Sequence, residues 1–248
     1  MSGNREFFNA LRFMTIFPVP SSDTATAPDW LSRCAKYFPA VGICVGLVSS
    51  VALLLAGAIW SPVIAALLAV AASLVITGAL HEDGLADVGD GFGGGRDRAA
   101  KLSIMRDSRL GTYGVIVLLV GFSARLSALA SLPVASVVAS LVVAHTLARA
   151  AIPVLAANMP FARDDGFGKS AGQPDVASAA TAVVIAVVLA LVCLPVKAAL
   201  LAVVVTVAGA AAMAALAWRQ IGGVTGDVFG AVEQVVETAV LVVLAARL

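Results

Sequence analysis

The chain has 248 residues, of which 60% are hydrophobic and 12% are charged, and its formal net charge is +1. A typical soluble domain is about 25% charged, so the composition argues against a soluble globular protein. The balanced charge gives no indication of a nucleic-acid partner, and we expect none.

A helix that lies in the membrane interface is predicted at the N-terminus. The residues that recur at helical spacing there are Phe7, Phe8, Leu11, Met14 and Thr15. Charged residues interrupt this stretch, and no small-residue cleavage site follows an apolar core. We therefore do not expect a cleaved signal peptide.

Seven apolar segments follow in chain order. A bilayer core about 30 Å thick is crossed by ~20 apolar helical residues. Four segments of that length are uncharged, namely 41–60, 61–80, 176–196 and 198–218. Three more contain charged or titratable residues: 111–130 with Arg125, 134–159 with His145 and Arg149, and 228–246 with Glu233 and Glu237. The sequence predicts an all-α fold, a polytopic membrane helical bundle of about seven transmembrane helices, in a single integral membrane domain over residues 1–248.

The connections between these segments alternate between short and long. Tight turns join the first segment to the second, the third to the fourth and the fifth to the sixth, whereas 81–110, 160–175 and 219–227 are long and polar. If all seven segments span, every long connection shares one face with the N-terminus. That face has twelve Lys and Arg residues, and the other has only Lys197 and Arg247. This bias is typical of the cytoplasmic side, so we expect a protein of the bacterial cytoplasmic (inner) membrane whose active site faces the cytoplasm.

The stretch HEDGLADVGDGFGGG, residues 81–95, is unusually acidic for so apolar a chain. Asp83, Asp87 and Asp90 stand at i, i+4 and i+7, so they share one face if the second span continues helically past the membrane surface. Their mutual repulsion favours a divalent cation, and Mg²⁺ prefers carboxylate oxygens together with substrate phosphate. We predict that Asp83 and Asp87 bind Mg²⁺, with Asp90 or Asp227 as a further ligand. A solvated acidic helix end is the alternative.

The glycines of this stretch indicate a turn. No Gly-Lys-Ser/Thr follows them, so they do not form a nucleotide P-loop. Glycines also let backbone N–H groups approach a phosphate closely. Gly93 and Gly94 are therefore candidate phosphate-binding positions.

Basic residues follow the acidic ones directly. Arg106 and Arg109 bracket Asp107 and Ser108, and Arg163 and Thr225 lie in two further polar patches. Carboxylates for metal, arginines for phosphate oxygens and glycines for close approach together indicate phosphoryl transfer. We predict that Arg106, Ser108, Arg109, Arg163 and Thr225 bind substrate phosphate. Contact of the arginines with lipid head groups is the alternative.

His81 is a candidate general base, because histidine titrates near neutral pH. It precedes Asp83 by two residues, so on a helix it points about 200° away from that aspartate. This direction weakens the case for a shared site unless the helix breaks at Gly84, and a structural role for His81 is the alternative. Within the last span, Glu233 either marks function or pairs with Arg125 or Arg149.

Four sequence blocks match the motifs of a known family. The first comprises His81, Asp83, Gly84, Leu85, Ala86, Asp87, Asp90 and Gly91. The second comprises Ile104, Met105, Asp107, Ser108, Arg109, Gly111 and Gly114. The third and fourth comprise Ala162, Arg163, Gly166 and Gly168, and then Gly222, Gly223, Thr225, Gly226 and Asp227. In these blocks the chain resembles the cobalamin synthase family, the adenosylcobinamide-GDP ribazoletransferases, over residues 7–234.

The resemblance implies the last step in assembling the nucleotide loop of vitamin B12. Adenosylcobinamide-GDP and α-ribazole, or its 5′-phosphate, would be the substrates; adenosylcobalamin, or its 5′-phosphate, and GMP the products; and Mg²⁺ the cofactor. His81, Asp83, Asp87 and Asp107 would then be the catalytic residues. The bilayer is the other expected partner, and a homo-oligomer is possible.

Two other classes of membrane protein remain as alternatives. CDP-alcohol phosphotransferases also have an aspartate-rich metal site, but their motif needs an arginine soon after Asp-Gly, and here Asp83-Gly84 is followed by Leu-Ala-Asp. A transporter would place its binding groups near the midplane of the bilayer, whereas most charges of this chain belong to one face.

Overall fold

The computed structural model describes residues 3–19, 29–163 and 172–246. The described part is helical, and its only β-type pairing is an isolated parallel bridge between Phe161 and Val224. The all-α prediction is confirmed. The α-helices are α1 (Gly3–Met14), α2 (Trp30–Cys34), α3 (Phe38–Gly57), α4 (Pro62–Thr77), α5 (Leu80–Gly94), α6 (Arg98–Ile104), α7 (Thr112–Ser131), α8 (Val134–Asn158), α9 (Val176–Cys193), α10 (Val196–Ile221) and α11 (Gly226–Ala245).

Six helical segments of the described chain are long and apolar enough to cross a membrane. They are Ser32–Gly57, Thr112–Ser131, Val134–Asn158, Val176–Cys193, Val196–Ile221 and Gly226–Ala245. Helices α4 and α5 form a further pair, bent by 92°, which makes seven if the pair counts as one span. This agrees with the prediction of about seven spans.

The bend between α4 and α5 differs from the sequence expectation. Gly78 and Ala79 both adopt the left-handed conformation, with φ of +61° and +56°. Gly78 forms the C-cap of α4, as glycine commonly does. The second span therefore does not continue straight past the membrane surface. Helix α5 turns sideways instead, so one of its faces packs on the bundle and another faces outwards.

Helix α8 forms the centre of the bundle and packs closely on α3. A Cβ atom at Gly42 would lie 2.4 Å from the His145 carbonyl oxygen, and one at Gly46 would lie 2.6 Å from the Cα atom of Val142. Small residues four apart let membrane helices approach to backbone contact. This close crossing fixes α8, and with it His145 and Arg149, inside the bundle.

The predicted N-terminal helix is present, and it packs against the protein. Phe13 stacks on Phe38 with ring centroids 6.2 Å apart, and Lys36 forms an ion pair of 2.8 Å with Glu6. Just beyond α1, the Ile16 N–H donates to the Ile76 carbonyl at 2.8 Å. Helix α1 is therefore held beside the bend between α4 and α5.

The three long connections meet at the same end of the bundle. Arg98 donates from Nε to the Ile221 carbonyl and from Nη2 to the Ala162 carbonyl, both at 2.7 Å. The Val224 N–H donates to the Pro160 carbonyl at 2.9 Å. These bonds join the connections after α4, α8 and α10. The structure thus gathers on one face the loops that the alternation had assigned to it.

Candidate active site

A cavity of about 310 Å³ opens at this face between α1, α3, α5, α8 and the start of α11. Its lining comprises a polar and an apolar set of side chains, which we call the polar and the apolar half. The polar half is lined by His81, Asp83, Arg163, Thr225 and Asp227. The apolar half is lined chiefly by Phe13, Phe38, Ile152, Phe161 and Phe229. Residues distant in sequence therefore converge on one cavity.

The polar half depends on a close crossing of α5 and α11. A Cβ atom at Gly84 would lie 2.7 Å from the Asp227 carbonyl oxygen, and one at Gly230 would lie 3.0 Å from the His81 carbonyl oxygen. Small residues such as glycine permit this close approach of two helix backbones. The crossing is what sets Asp227 beside Asp83.

Replacing Gly84 with alanine is expected to lower the thermal unfolding midpoint of the protein. The added methyl group would force α5 and α11 apart, and overpacking costs about 1–3 kcal/mol. Gly121→Ala is the matched control, because a Cβ atom there meets only a Leu85 methyl group at 3.8 Å. The close crossing would be refuted if both variants melted at the wild-type temperature in detergent.

Asp83, Asp87 and Asp227 form the acidic part of the site. Asp83 is exposed, and the other two are half-buried. The carboxylates are close enough to repel one another, since Asp87 interacts unfavourably with both Asp227 and Asp83. Asp87 does not line the cavity itself.

Asp227 has two partners beside the cavity. Thr225 donates its hydroxyl to Asp227 Oδ2 at 3.2 Å and caps α11 by accepting the Val228 N–H. Arg163 Nη1 lies 3.5 Å from the same Oδ2 atom, while Arg163 Nη2 donates to the Leu102 carbonyl. Thr225 and Arg163 thus lie next to the acidic cluster, and their binding of substrate phosphate stays a prediction.

The acidic cluster suits a hydrated cation better than a closed ligand cage. Among the described residues, the only group of three whose ligand atoms all lie within 4.8 Å is His145, Glu233 and Glu237. The carboxylates of Asp83, Asp87 and Asp227 are more widely spaced. Mg²⁺ usually keeps several waters and takes one or two carboxylates, so a site at Asp83 and Asp227 would not need all three carboxylates, and the ion stays a prediction.

Asp90 has a structural role that the sequence did not reveal. Its Oδ2 and Oδ1 atoms accept the N–H groups of Gly111 at 2.7 Å and Gly114 at 2.8 Å. The carboxylate therefore caps the N-terminus of α7, where a negative charge is stabilised. Asp90 as a metal ligand stays a prediction, and both oxygens already have partners.

The glycine turn expected near Gly93 and Gly94 is replaced by the last turn of α5, which ends at Gly94. N–H groups within a helix donate to carbonyls of the same helix, so few backbone donors remain for a phosphate. A Cβ atom at Gly93 would lie 2.5 Å from the Tyr113 ring. Gly93 therefore admits that ring against the helix. Phosphate binding by these two glycines stays a prediction.

The segment after α6 lies partly outside this arrangement. Arg106 and Arg163 line a second, shallower cavity of about 290 Å³, and Arg163 also lines the main one. Asp107, Ser108 and Arg109 line neither. Arg109 Nε lies 3.0 Å from both carboxylate oxygens of Asp107. This hydrogen bonding lowers the pKa of Asp107 to about 2, which keeps it ionised and suits it poorly to proton transfer.

His81 points away from Asp83, as helical geometry requires, because α5 continues through Gly84 without a break. Its side chain is buried, and its Nδ1 atom lies 3.8 Å from Glu233 Oε2. Its Nε2 atom has no hydrogen-bond partner in the described chain. Both His81 and Asp83 nevertheless line the cavity. Its role as a base stays a prediction.

A buried network of charges lies behind His81. Arg149 Nη1 is 2.6 Å from Glu233 Oε1, so the pairing considered for Glu233 is present. Arg125 Nη1 lies 3.2 Å from both Glu82 and Glu237, and His145 Nδ1 lies 3.1 Å from Glu237. Each of the three carboxylates lies beside one of the two arginines, so none of them is buried without a cationic partner.

Glu82 has a role that its local sequence does not indicate. The only signal was its position, since a carboxylate next to His81 at the start of α5 must either reach solvent or find a buried cation. It pairs with Arg125. By contrast, Gly166 and Gly168 of the third block lie outside the described residues.

The fold and the site together define a polytopic helical membrane protein with an acid- and arginine-lined cavity at one end of the bundle. A family model described as cobalamin-5-phosphate synthase matches residues 6–245. The chain belongs to this family, which confirms the resemblance seen in the four blocks.

Similar proteins match over nearly the full length. An adenosylcobinamide-GDP ribazoletransferase of Bradyrhizobium diazoefficiens is 45% identical, with 96% of this chain and 92% of the relative covered. The enzyme of that name from Sinorhizobium medicae is 41% identical, with 99% of each chain covered. A third, from Shewanella amazonensis, is 38% identical over 96% of this chain and 94% of its own. No solved structure matches.

Proposed function

We propose that the protein transfers the phosphocobinamide group of adenosylcobinamide-GDP to α-ribazole, or to its 5′-phosphate. The observation that carries the proposal is the near-full-length similarity to relatives named adenosylcobinamide-GDP ribazoletransferase. The cavity supports it, because carboxylates and an arginine lie there at the end of the bundle where the polar loops meet. A CDP-alcohol phosphotransferase has no comparable support.

In the proposed reaction, α-ribazole replaces GMP on the phosphorus that bears the cobinamide. A ribose hydroxyl of the acceptor attacks the phosphorus that bears the cobinamide. The bond from that phosphorus to the bridging oxygen breaks, and GMP leaves with this oxygen. The hydroxyl gives up a proton, for which His81 and the nearby aspartates are the candidate acceptors. Arg163 is placed to bind phosphate oxygens, since its guanidinium group reaches the polar half of the cavity.

Asp83 and Asp227, with Asp87 behind them, are the residues that would hold Mg²⁺. When bound, the ion would neutralise charge on the diphosphate and on the departing GMP. The chain itself supplies the ligands and the arginine, and the apolar walls of the cavity limit access of water.

The direct test is an assay of the purified protein in lipid vesicles. With adenosylcobinamide-GDP, α-ribazole 5′-phosphate and Mg²⁺, we expect equal amounts of adenosylcobalamin 5′-phosphate and GMP, separated by chromatography. The reaction should stop when a chelator removes the metal. Absence of both products, or transfer from a CDP-alcohol instead, would refute the proposed function.

We further infer that the end of the bundle that holds the cavity faces the cytoplasm of a bacterial inner membrane. Twelve Lys and Arg residues of the chain lie on this side of the predicted topology, and such an excess favours the cytoplasmic side.

Cysteine labelling tests this orientation. Ala99 in α6 and Lys197 at the start of α10 are both exposed. A cysteine at position 197 should react with an impermeant maleimide added to spheroplasts, and one at position 99 should react only in inverted vesicles. The background would lack the native cysteines, which are Cys34, Cys44 and Cys193. Labelling of both positions from one side would contradict the topology.

A further inference from the structure

Four phenylalanine rings line the apolar half of the cavity and form what we call its aromatic wall. Phe161 and Phe229 meet edge to face, with ring centroids 6.3 Å apart and planes at 85°. Phe13 and Phe38, which also line the cavity, stack at 6.2 Å with planes at 25°. Ile152 of α8 also lines this half. The transfer chemistry, which concerns phosphates and a hydroxyl, gives these rings no role.

We propose that this apolar half binds the benzimidazole ring of the acceptor, α-ribazole, and so delivers its ribose hydroxyl to the polar half beside Asp83, Asp227 and Arg163. The inference rests on the proposed function, since it is that reaction which makes α-ribazole a substrate. Beyond the proposed function, it assigns a location to the acceptor and names the residues that contact its base.

The size of the cavity favours the acceptor. About 310 Å³ is at the lower end of the range of about 300–1,000 Å³ found for pockets that enclose a small organic ligand. A nucleoside such as α-ribazole is a ligand of that kind. The corrinoid ring system of the donor is several times larger and must remain outside, with only its phosphate arm reaching the polar half.

The chemistry of the wall distinguishes the acceptor base from the guanine of the donor. Guanine has hydrogen-bond donors and acceptors along one edge, and burying them without partners is costly. The side chains of Phe13, Phe38, Ile152 and Phe229 provide no such partners. The base of α-ribazole instead has two methyl groups at the edge of a flat ring, which gain by transfer to an apolar surface.

The arrangement gives α1 a function beyond contact with the membrane surface. Phe13 and the buried Met14 of α1 line the cavity, and α1 is tied to the bundle through the Lys36–Glu6 ion pair. The N-terminal helix therefore closes one wall of the acceptor pocket.

The test measures α-ribazole binding by titration calorimetry on detergent-purified protein without donor, so that no turnover is needed. Phe229→Ala in α11 and Phe13→Ala in α1 are each expected to weaken binding by about tenfold, the effect typical of losing one stacking ring. Phe8→Ala is the matched control, because Phe8 is in α1, 40% exposed and not part of the cavity wall. It should bind α-ribazole as the wild type does. Thermal unfolding of each variant verifies that it is folded, and Phe229→Leu replaces Phe229→Ala if that variant is not.

Kinetics then separate the two substrates. In folded Phe229 and Phe13 variants, KM for α-ribazole should rise by about the same factor, and KM for adenosylcobinamide-GDP should stay within about twofold. Wild-type binding in both variants, or an increase in KM for the donor alone, would overturn the assignment of the apolar half. A wild-type protein that makes no product would refute the proposed function instead, so the two failures are distinguishable.

Discussion

Replacing Asp83 with asparagine is expected to abolish transfer while leaving the protein folded in the membrane. Asp83 is the exposed carboxylate of α5 at the cavity, and the change removes a negative charge from the predicted cation site with almost no change in shape. Loss of a correctly held metal ion costs several kcal/mol of transition-state stabilisation, so we expect a decrease in kcat of roughly a hundredfold or more. The measurement is product formation by purified variant at saturating substrate and a range of Mg²⁺ concentrations.

Asp175→Asn is the matched control for this substitution. Asp175 caps α9 by accepting the Ser178 N–H at 2.7 Å and does not line the cavity. Asparagine caps a helix about as well as aspartate, so this variant should retain both activity and stability. Near-normal turnover of the Asp83→Asn protein would mean that the acidic cluster is only a solvated helix end.

Replacing Arg149 with methionine is expected to destabilise the protein more than any change at its surface. Arg149 is buried and pairs at 2.6 Å with Glu233, which is fully buried. Removing one partner of such a pair typically costs about 3–5 kcal/mol, because the other charge remains buried and unpaired. The thermal unfolding midpoint in detergent should fall by roughly 10 °C.

Two further variants show whether the buried pair is the cause. Arg33→Met removes the cation of an exposed pair, in which Arg33 Nη2 lies 2.8 Å from Asp29, and should change stability by less than about 1 kcal/mol. The double variant Arg149→Met/Glu233→Leu removes both charges and should recover much of the lost stability. If Arg149→Met melted like the wild type, Glu233 would not depend on Arg149 for its charge balance.

Part of the candidate site is predictable because it depends on residue type and on position relative to the apolar spans. The sequence predicts a site from acidic, basic and polar residues at the ends of apolar spans. The structure brings four of them to one cavity, namely Asp83, Asp227, Arg163 and Thr225. The cost of an isolated charge inside an apolar bundle predicts that Glu233 pairs with Arg125 or Arg149, and the structure shows the pair with Arg149. Neither inference needed knowledge of how the helices are arranged.

Other residues acquired their roles only through packing. Asp90 looked like a third member of the acidic face, yet it caps α7 because the fold brings Gly111 and Gly114 to its two oxygens. Gly93 looked like part of a turn, yet it admits the Tyr113 ring. Asp107 and Arg109 form hydrogen bonds with each other, and neither lines the main cavity or the one beside Arg106.

The sequence by itself determined the class of fold, the number of apolar spans and the face on which the polar connections meet, because length, hydropathy and charge act independently of the partners a helix finds. Only the tertiary structure decided the 92° bend, where a left-handed Ala79 adopts a conformation that alanine does not favour on its own. Only the tertiary structure, too, assembled the aromatic wall, since Phe13, Phe38, Phe161 and Phe229 come from four separate parts of the chain. Their meeting depends on close helix crossings such as that at Gly84 and Gly230, which no local pattern specifies.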